Sequence, residues 1–340
     1  MRVLLSSNHL YPAASRHGSG RQPREWPSGS GFIVHDLVAK GLGALGHEVF
    51  YLLPRGAEDP LPPGVTLVNA PVTDVDVLHT VTFRDHQLVR SFQQAGTPCV
   101  ATCHLDPTVP GRTIDEPIQD NWIFVSATLA KSLRRTRFVV NGIDPEDFIY
   151  SETKDDYFLF MANLDWASSK GLPLALHLAK RLGFRFVVAG TAKTVEVVNK
   201  TERLCLEAGA EYVGDVRGFE RARLLSRARG ILFPSQVNEA FGLVMVEGLM
   251  SGTPVIASSY GSCPEIVSPE VGFICKSEQD YADAIERIGE ISPRACRERA
   301  VTNYHYMRMT RDYIREYEAE IAMASQRVSG GPFAASAVQN

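Results

Sequence analysis

The sequence predicts an α/β protein built from two doubly wound parallel sheets. Three observations carry that expectation. Short β-branched or apolar runs alternate with helix-periodic segments from end to end, the pattern of parallel strands covered by helices. The chain of 340 residues is too long for one comfortable core and suits two domains. A polar, turn-rich segment, "NGIDPEDFIYSETKDD" (141–156), separates two series of such runs, which places one domain at 1–150 and the other at 151–306.

The first series reads as strands at "VLLSS" (3–7), "EVFYLL" (48–53), "VTLVN" (65–69), "DVLHTV" (76–81), "CVATC" (99–103), "WIFVS" (122–126) and "RFVV" (137–140). Between the first two, Ile33, Leu37, Val38 and Leu42 follow helical spacing, giving a strand, loop, helix, strand unit. The connecting stretch 13–30, rich in Gly, Ser, Pro and Arg, is long for a compact domain. It follows the carboxyl end of a first strand, where doubly wound sheets bind ligands.

The second series reads as "YFLFMANL" (157–164), "RFVVAG" (185–190), "EYVGD" (211–215), "GILFPS" (230–235), "PVIAS" (254–258) and "GFIC" (272–275), with helices such as "LPLALHLAKRLG" and "RARLLSRARG" between. The small, polar tail from 326 to 340 is expected to be disordered.

Composition narrows the class. With 44% hydrophobic and 22% charged residues the chain is globular, and a net charge of −4 gives no electrostatic reason to expect nucleic acid. No apolar run reaches the roughly 18 residues that span a bilayer, and the N-terminal run is too short for a signal peptide, so a cytoplasmic protein is expected. The six cysteines show no Cys-x-x-Cys pair and read as reduced structural thiols. Cys99, Cys103 and His104 form a trio without a fourth ligand nearby, so no metal site is expected.

The chemistry concentrates in "NEAFGLVMVEGLMSGTPVIA" (238–257), where Glu239 stands ahead of an apolar, helix-like run and Glu247 inside it. The spacing predicts a helix from about Gly242 to Met250, stopped by Gly252 and Pro254. Its first amides lack intrahelical partners, and with the helix dipole they form a receptor for phosphate. Glu247, further in, sits where a carboxylate can accept hydrogen bonds from a ribose diol. Spacing alone leaves a solvated glutamate equally open.

Residues 234–267, "PSQVNEAFGLVMVEGLMSGTPVIASSYGSCPEIV", resemble the signature of the retaining nucleotide-sugar glycosyltransferases of family 4. That pattern runs from a proline-serine turn through Glu-x-Phe-Gly-Leu, a second Glu eight positions on and Gly-x-Pro-Val to a final element seen here as Ser262, Pro264, Glu265 and Ile266. "GSGFIVHDLVAKGLGALGHEV", "IFVSATLAKSL", "VVNGID" and "FLFMANLDWASSKGLPLALHLA" extend the resemblance over most of the chain.

The resemblance implies a GT-B fold, two Rossmann-like domains facing a central cleft, with a helix at about 307–325 crossing back onto the first. It implies that Glu247 holds the ribose, Glu239 faces the donor sugar, and the amides of Ala240, Phe241, Gly242 and Leu243 touch sugar and diphosphate. Lys170, beside Gly171, would serve the diphosphate, and Ser30 and Gly31 the phosphates from across the cleft. His104 matches a family histidine near the transferring carbon, although its own surroundings in sequence read as structural. Gly190, Val213 and Gly214, at strand carboxyl ends, complete the implied donor site. Departure of the nucleoside diphosphate through an oxocarbenium-like state asks for preorganised positive charge at the phosphates. Front-face attack, generally attributed to the family, needs no protein nucleophile, so Glu239 is expected to orient the sugar.

One position departs from the family. Where Gly-Arg-Leu is usual, this chain has Ala162, Asn163 and Leu164, and asparagine offers hydrogen bonds without charge. Arg21, Arg24 and Arg217 are candidate substitutes, although each reads more readily as a solvated surface arginine. Two further features read as structural: "DVD" (74–76) as a strand start, and the basic run "KSLRRTR" (131–137) as a solvated face more than a membrane contact.

The expectation is a metal-independent retaining glycosyltransferase with no cofactor, taking a nucleotide diphosphate sugar, UDP-sugar first, and a hydroxyl acceptor. The compact length and Asn163 resemble small actinobacterial enzymes of secondary metabolism. The alternatives are a GT-B-shaped sugar-nucleotide epimerase and a non-catalytic nucleotide-binding protein.

Overall fold

In the computed structural model of the protein, residues 1–13, 30–81, 86–106 and 118–329 are described. The first part carries β1 (Arg2–Ser6), α1 (Ser30–Ala44), β2 (Glu48–Leu52), β3 (Val65–Val68), β4 (Val77–Val81), α2 (His86–Gln94), β5 (Cys99–Cys103), β6 (Trp122–Phe124) and α3 (Ala127–Ser132). Its strands form a parallel sheet in the order β3-β2-β1-β4-β5-β6. Strand β1 pairs on both sides, Val3 lying beside Val49 and beside Val77. Val3, Leu4 and Leu5 are fully buried, as expected of a central strand with both faces covered.

The second part carries β7 (Phe158–Met161), α4 (Leu172–Leu182), β8 (Phe186–Ala189), α5 (Val195–Ala208), β9 (Glu211–Gly214), α6 (Gly218–Arg227), β10 (Gly230–Phe233), α7 (Leu243–Met250), β11 (Val255–Ser258), α8 (Cys263–Ile266), β12 (Gly272–Cys275), α9 (Glu278–Arg287) and α10 (Pro293–Tyr304). Its sheet order is β12-β11-β10-β7-β8-β9, again parallel. In each sheet the order reverses around one strand, β1 or β7. Doubly wound sheets bind ligands outside the strand carboxyl ends at such reversals, here next to β4 and β10.

The last helix, α11 (Tyr306–Ser329), leaves the second sheet and packs on α1 and β5 of the first. The crossing is close because Gly41 carries no side chain: a Cβ there would lie 2.0 Å from Thr310 Oγ1. Two fully buried tyrosines fasten the helix, Tyr313 OH lying 2.8 Å from Thr102 Oγ1 and Tyr317 OH 2.6 Å from His79 Nδ1. The outgoing and returning chains meet, since Ile143 N donates to Tyr304 O at 2.8 Å and Tyr306 N to Ile143 O at 3.0 Å.

Three sequence readings differ from the structure. Residues 137–140 form no strand; Phe138 makes one bridge with Phe124 and is 40% exposed before the chain turns toward the second sheet. Helix α11 continues to Ser329, so 326–329 extend a helix where a disordered tail was expected. The basic run after residue 130 is partly consumed inside the fold: Arg137 pairs with Glu316 and Glu320 of α11, and Arg135 with Asp120. The "DVD" aspartates do hold a strand start, Asp76 accepting from Arg2 N at 2.7 Å while Asp74 pairs with the Arg2 side chain.

Candidate functional site

Between the two sheets lies a cleft of about 710 Å³. Its floor on the second side is made by the carboxyl ends of β7 and β10 and by the start of α7, the reversal point named above. A second hollow, on the outer face of α5, includes Glu211 and Tyr212 at the opposite end of a strand, away from such a reversal.

Gly242 makes the turn into α7. Its φ of +94° is left-handed, a conformation most side chains avoid, and a Cβ there would press on Met245 at 2.6 Å. Among the described residues no side chain caps α7, and Gly242, Leu243 and Val244 line the cleft, where the dipole at the helix start favours an anion. The loop before the helix is held from behind. Ser262 N donates to Glu239 O at 3.0 Å, Ser262 Oγ donates to Phe241 O at 2.6 Å, and a Cβ on Gly261 would collide with Glu239 N at 2.2 Å.

Glu239, 5% exposed, receives the Lys170 ammonium on both carboxylate oxygens and Ser235 Oγ at 2.6 Å. A buried carboxylate persists where donors replace its water, and three contacts do so here. Lys170 is positioned by Gly171, whose φ of +83° and missing side chain let the chain pass against Pro234 O, 1.9 Å from where a Cβ would be. Glu247, 6% exposed, accepts from Arg221 of α6. The solvated reading of Glu247 is therefore excluded.

Asn163 spends its side-chain oxygen locally. It caps the short 3₁₀ turn Leu164–Trp166 by accepting from Asp165 N at 2.9 Å. The carbonyl of the preceding Ala162 would sit 2.0 Å from a Cβ on Gly190, which explains glycine at the end of β8.

His104 faces the cleft from the end of β5, and its ring lies against Gly31, 2.8 Å from where a Cβ would be. Burial pushes its pKa down to about 4, so it is neutral at pH 7. Its buried Nε2 has no hydrogen-bond partner among the described residues. Behind it, His79 is pushed down to about 3 by burial, and His35 well below its ordinary value by burial and by the neighbouring His79, His104 and His9.

The cleft thus gathers His104, Asn163, Lys170, Gly190, Glu239, Ala240, Phe241, Gly242, Leu243 and Glu247. Gly31 stands behind His104, and Gly171 behind Lys170. Val213 packs into the core, and Gly214 O accepts from Gly190 N at 2.8 Å, so these two support the wall. Ser30 opens α1, and Arg21 and Arg24 lie outside the described residues. Arg217 lines the cleft, paired with Asp215 at 2.8 Å.

Sequence reading missed Ser235, Arg221 and Phe219, the last 73% exposed at the cleft wall. Arg221 had a signal. On α6, positions 218, 221, 222, 225 and 226 form one stripe at helical spacing, and Ala222, Leu225 and Ser226 are buried. A cation on that stripe marks something to pair with.

The two sides of the cleft touch at one end. Ser126 Oγ, at the start of α3, donates to Ala240 O at 2.7 Å, and Ala127 N donates to Glu265 Oε2 at 3.2 Å. The Glu-containing element noted after the Gly-x-Pro-Val stretch therefore bridges the parts.

Known proteins resemble this chain in sequence and in fold. Residues 144–303 match the family model described as glycosyl transferases group 1. The MMP α-(1→4)-mannosyltransferase of Mycolicibacterium hassiacum is 31% identical over 170 residues, 45% of this chain and 41% of that protein. The phosphatidylinositol N-acetylglucosaminyltransferase gpi3 subunit of Schizosaccharomyces pombe is 27% identical over 164 residues, 46% of this chain and 36% of that one. The chain thus spans less than half the length of these curated relatives.

Among solved structures, AviGT4, a glycosyltransferase involved in avilamycin A biosynthesis, superposes with a TM-score of 0.73 at 24% identity, covering 95% of this chain and 98% of its own. Anabaena HepE in complex with UDP superposes with a TM-score of 0.67 at 14% identity, covering 97% and 100%. At such identities the likeness is one of fold. Residues 144–303 thus resemble the glycosyl transferases of group 1, within a chain that has the GT-B fold.

Proposed function

We propose that this protein is a retaining, metal-independent glycosyltransferase that moves a sugar from a nucleotide diphosphate sugar, a UDP-sugar first, to a hydroxyl acceptor. The observation that carries the reading is the start of α7: uncapped amides flanked by Lys170 on Glu239 and by the buried carboxylate of Glu247, all on one cleft. Amides and ammonium together suit a diphosphate, and a carboxylate one turn further in suits a ribose diol. HepE, of the same fold, was solved with UDP.

The diphosphate would lie on the α7 amides, with Lys170 stabilising the charge that grows as the sugar-phosphate bond breaks. Glu239 has both oxygens engaged by Lys170 and one also by Ser235, an arrangement suited to orienting a sugar more than to attacking it. The departing phosphate then takes the acceptor's proton, which delivers the acceptor to the same face. His104, neutral at pH 7, contributes a ring nitrogen to the acceptor side without charge. Closure about the 141–156 crossing would exclude water from the donor. A cytoplasmic location and a place in secondary metabolism, the latter suggested by the AviGT4 fold likeness, complete the proposal.

Incubation with a panel of nucleotide diphosphate sugars, with and without hydroxyl acceptors, read by mass spectrometry, tests the reading. Acceptor-dependent release of the nucleoside diphosphate with a retained anomer supports it. Conversion of the donor to an isomer without acceptor would instead establish an epimerase.

A further inference from the structure

Arg221 is the one cation on the inward stripe of α6, and its position is unusual in what it leaves unused. A guanidinium carries five N–H donors. Among the described residues, Arg221 gives Nη2 to Glu247 Oε2 and Nη1 to the thioether of Met161, a weak acceptor. A partly buried cation on a stripe of small and apolar residues is costly unless strong acceptors surround it, and the described residues supply one carboxylate.

Its location relative to α7 is informative. Glu247 stands four residues into the helix after Leu243, about one turn or 5–6 Å from its first amides. Lys170 is tied to Glu239, four residues before Leu243. Each cation is thus paired with a carboxylate within four residues of Leu243 along the chain, and both line the same cleft. Met161 ends β7 two residues before the uncharged Asn163, so Arg221 brings a positive charge from a different element to that neighbourhood.

We infer that Arg221 is a second donor-binding cation: it contacts the diphosphate alongside Lys170, and its ion pair with Glu247 couples the ribose and phosphate subsites. This rests on the donor reading above. In the empty cleft Glu247 neutralises Arg221. When ribose hydroxyls donate to Glu247, the remaining guanidinium donors turn to phosphate oxygens, the stronger acceptors.

The test titrates UDP by calorimetry and uridine by NMR against the wild type, Arg221→Met and Arg221→Lys, with thermal melts alongside. In Arg221→Met, UDP affinity is expected to fall roughly 10- to 100-fold, the scale of a charged hydrogen bond, while uridine affinity changes less than about threefold. Arg221→Lys recovers part of the loss. Equal losses for UDP and uridine would show that Arg221 only holds Glu247, and unchanged UDP affinity would also overturn the inference. If Arg221→Met does not fold, Arg221→Lys decides alone, since it keeps a charge for Glu247 but loses the fork: a fall confined to UDP supports the contact. A wild type that binds UDP but ignores these substitutions overturns this inference alone; a wild type that binds no UDP overturns the donor reading itself.

Discussion

Lys170 and Glu239 form a closed pair: the ammonium of Lys170 reaches both carboxylate oxygens of Glu239, which is 5% exposed. Removing the lysine therefore does two separable things. It takes away the charge assigned to the leaving diphosphate, and it leaves a buried carboxylate held by Ser235 alone among the contacts described. Lys170→Ala is expected to lower turnover by roughly 100-fold or more and stability by up to about 3 kcal/mol. Adding Glu239→Gln should return most of the stability without returning turnover, as read by urea denaturation and steady-state kinetics. Near-normal turnover in Lys170→Ala would contradict its role.

Gly171 links that pair to the backbone. Its φ is +83°, and a Cβ would stand 1.9 Å from Pro234 O, so no side-chain rotation can relieve the contact. Gly171→Ala should destabilise by more than about 2 kcal/mol, by strain and by displacement of the β10 carboxyl end. An unfolding midpoint equal to that of the wild type would show that the chain can shift without cost there.

The buried histidines set a pH dependence. His104 titrates near 4 and His79 near 3, with His35 also well below its ordinary value, all through burial first. The unfolded forms titrate near 6.5, so between those values the unfolded chain binds more protons. Their contribution to stability is complete above about pH 6.5 and is lost as pH falls through about 4 for His104 and about 3 for His79. The melting temperature should decline steadily from pH 7 to pH 5, with no loss of turnover near 6.5 attributable to His104. A flat melting profile over that interval would contradict the burial of these rings.

Much of the fold was legible because a parallel strand buried on both faces must be apolar throughout, and runs such as "VLLSS" and "GILFPS" have no other use. "RFVV" at 137–140 misled for the same reason: it is apolar, but it lies where the chain leaves the first sheet, and Phe138 is 40% exposed. Lys170, Glu239 and Glu247 were singled out through the family resemblance, and the structure brings the three to one cleft. Arg221 carried only the weak signal of its helical stripe, because an arginine in a charged helix reads as solvated until the packed face of α6 is known. Ser235 belonged to a recognised turn, yet its hydroxyl bond to Glu239 depends on a loop conformation that spacing does not describe. Asn163 was noticed for the charge it lacks, and the structure adds what its oxygen does instead, which is to cap the turn at Leu164.

The central claim is that Glu247 binds the ribose of a nucleoside diphosphate at the start of α7. Calorimetric titration of UDP into the wild type and Glu247→Ala tests it most directly. The account predicts saturable binding to the wild type and a loss of roughly 10-fold or more in the variant, the scale of hydrogen bonds to a charged group. Equal affinity in the two proteins would contradict the ribose assignment, and no binding to the wild type at millimolar UDP would contradict the donor site as a whole.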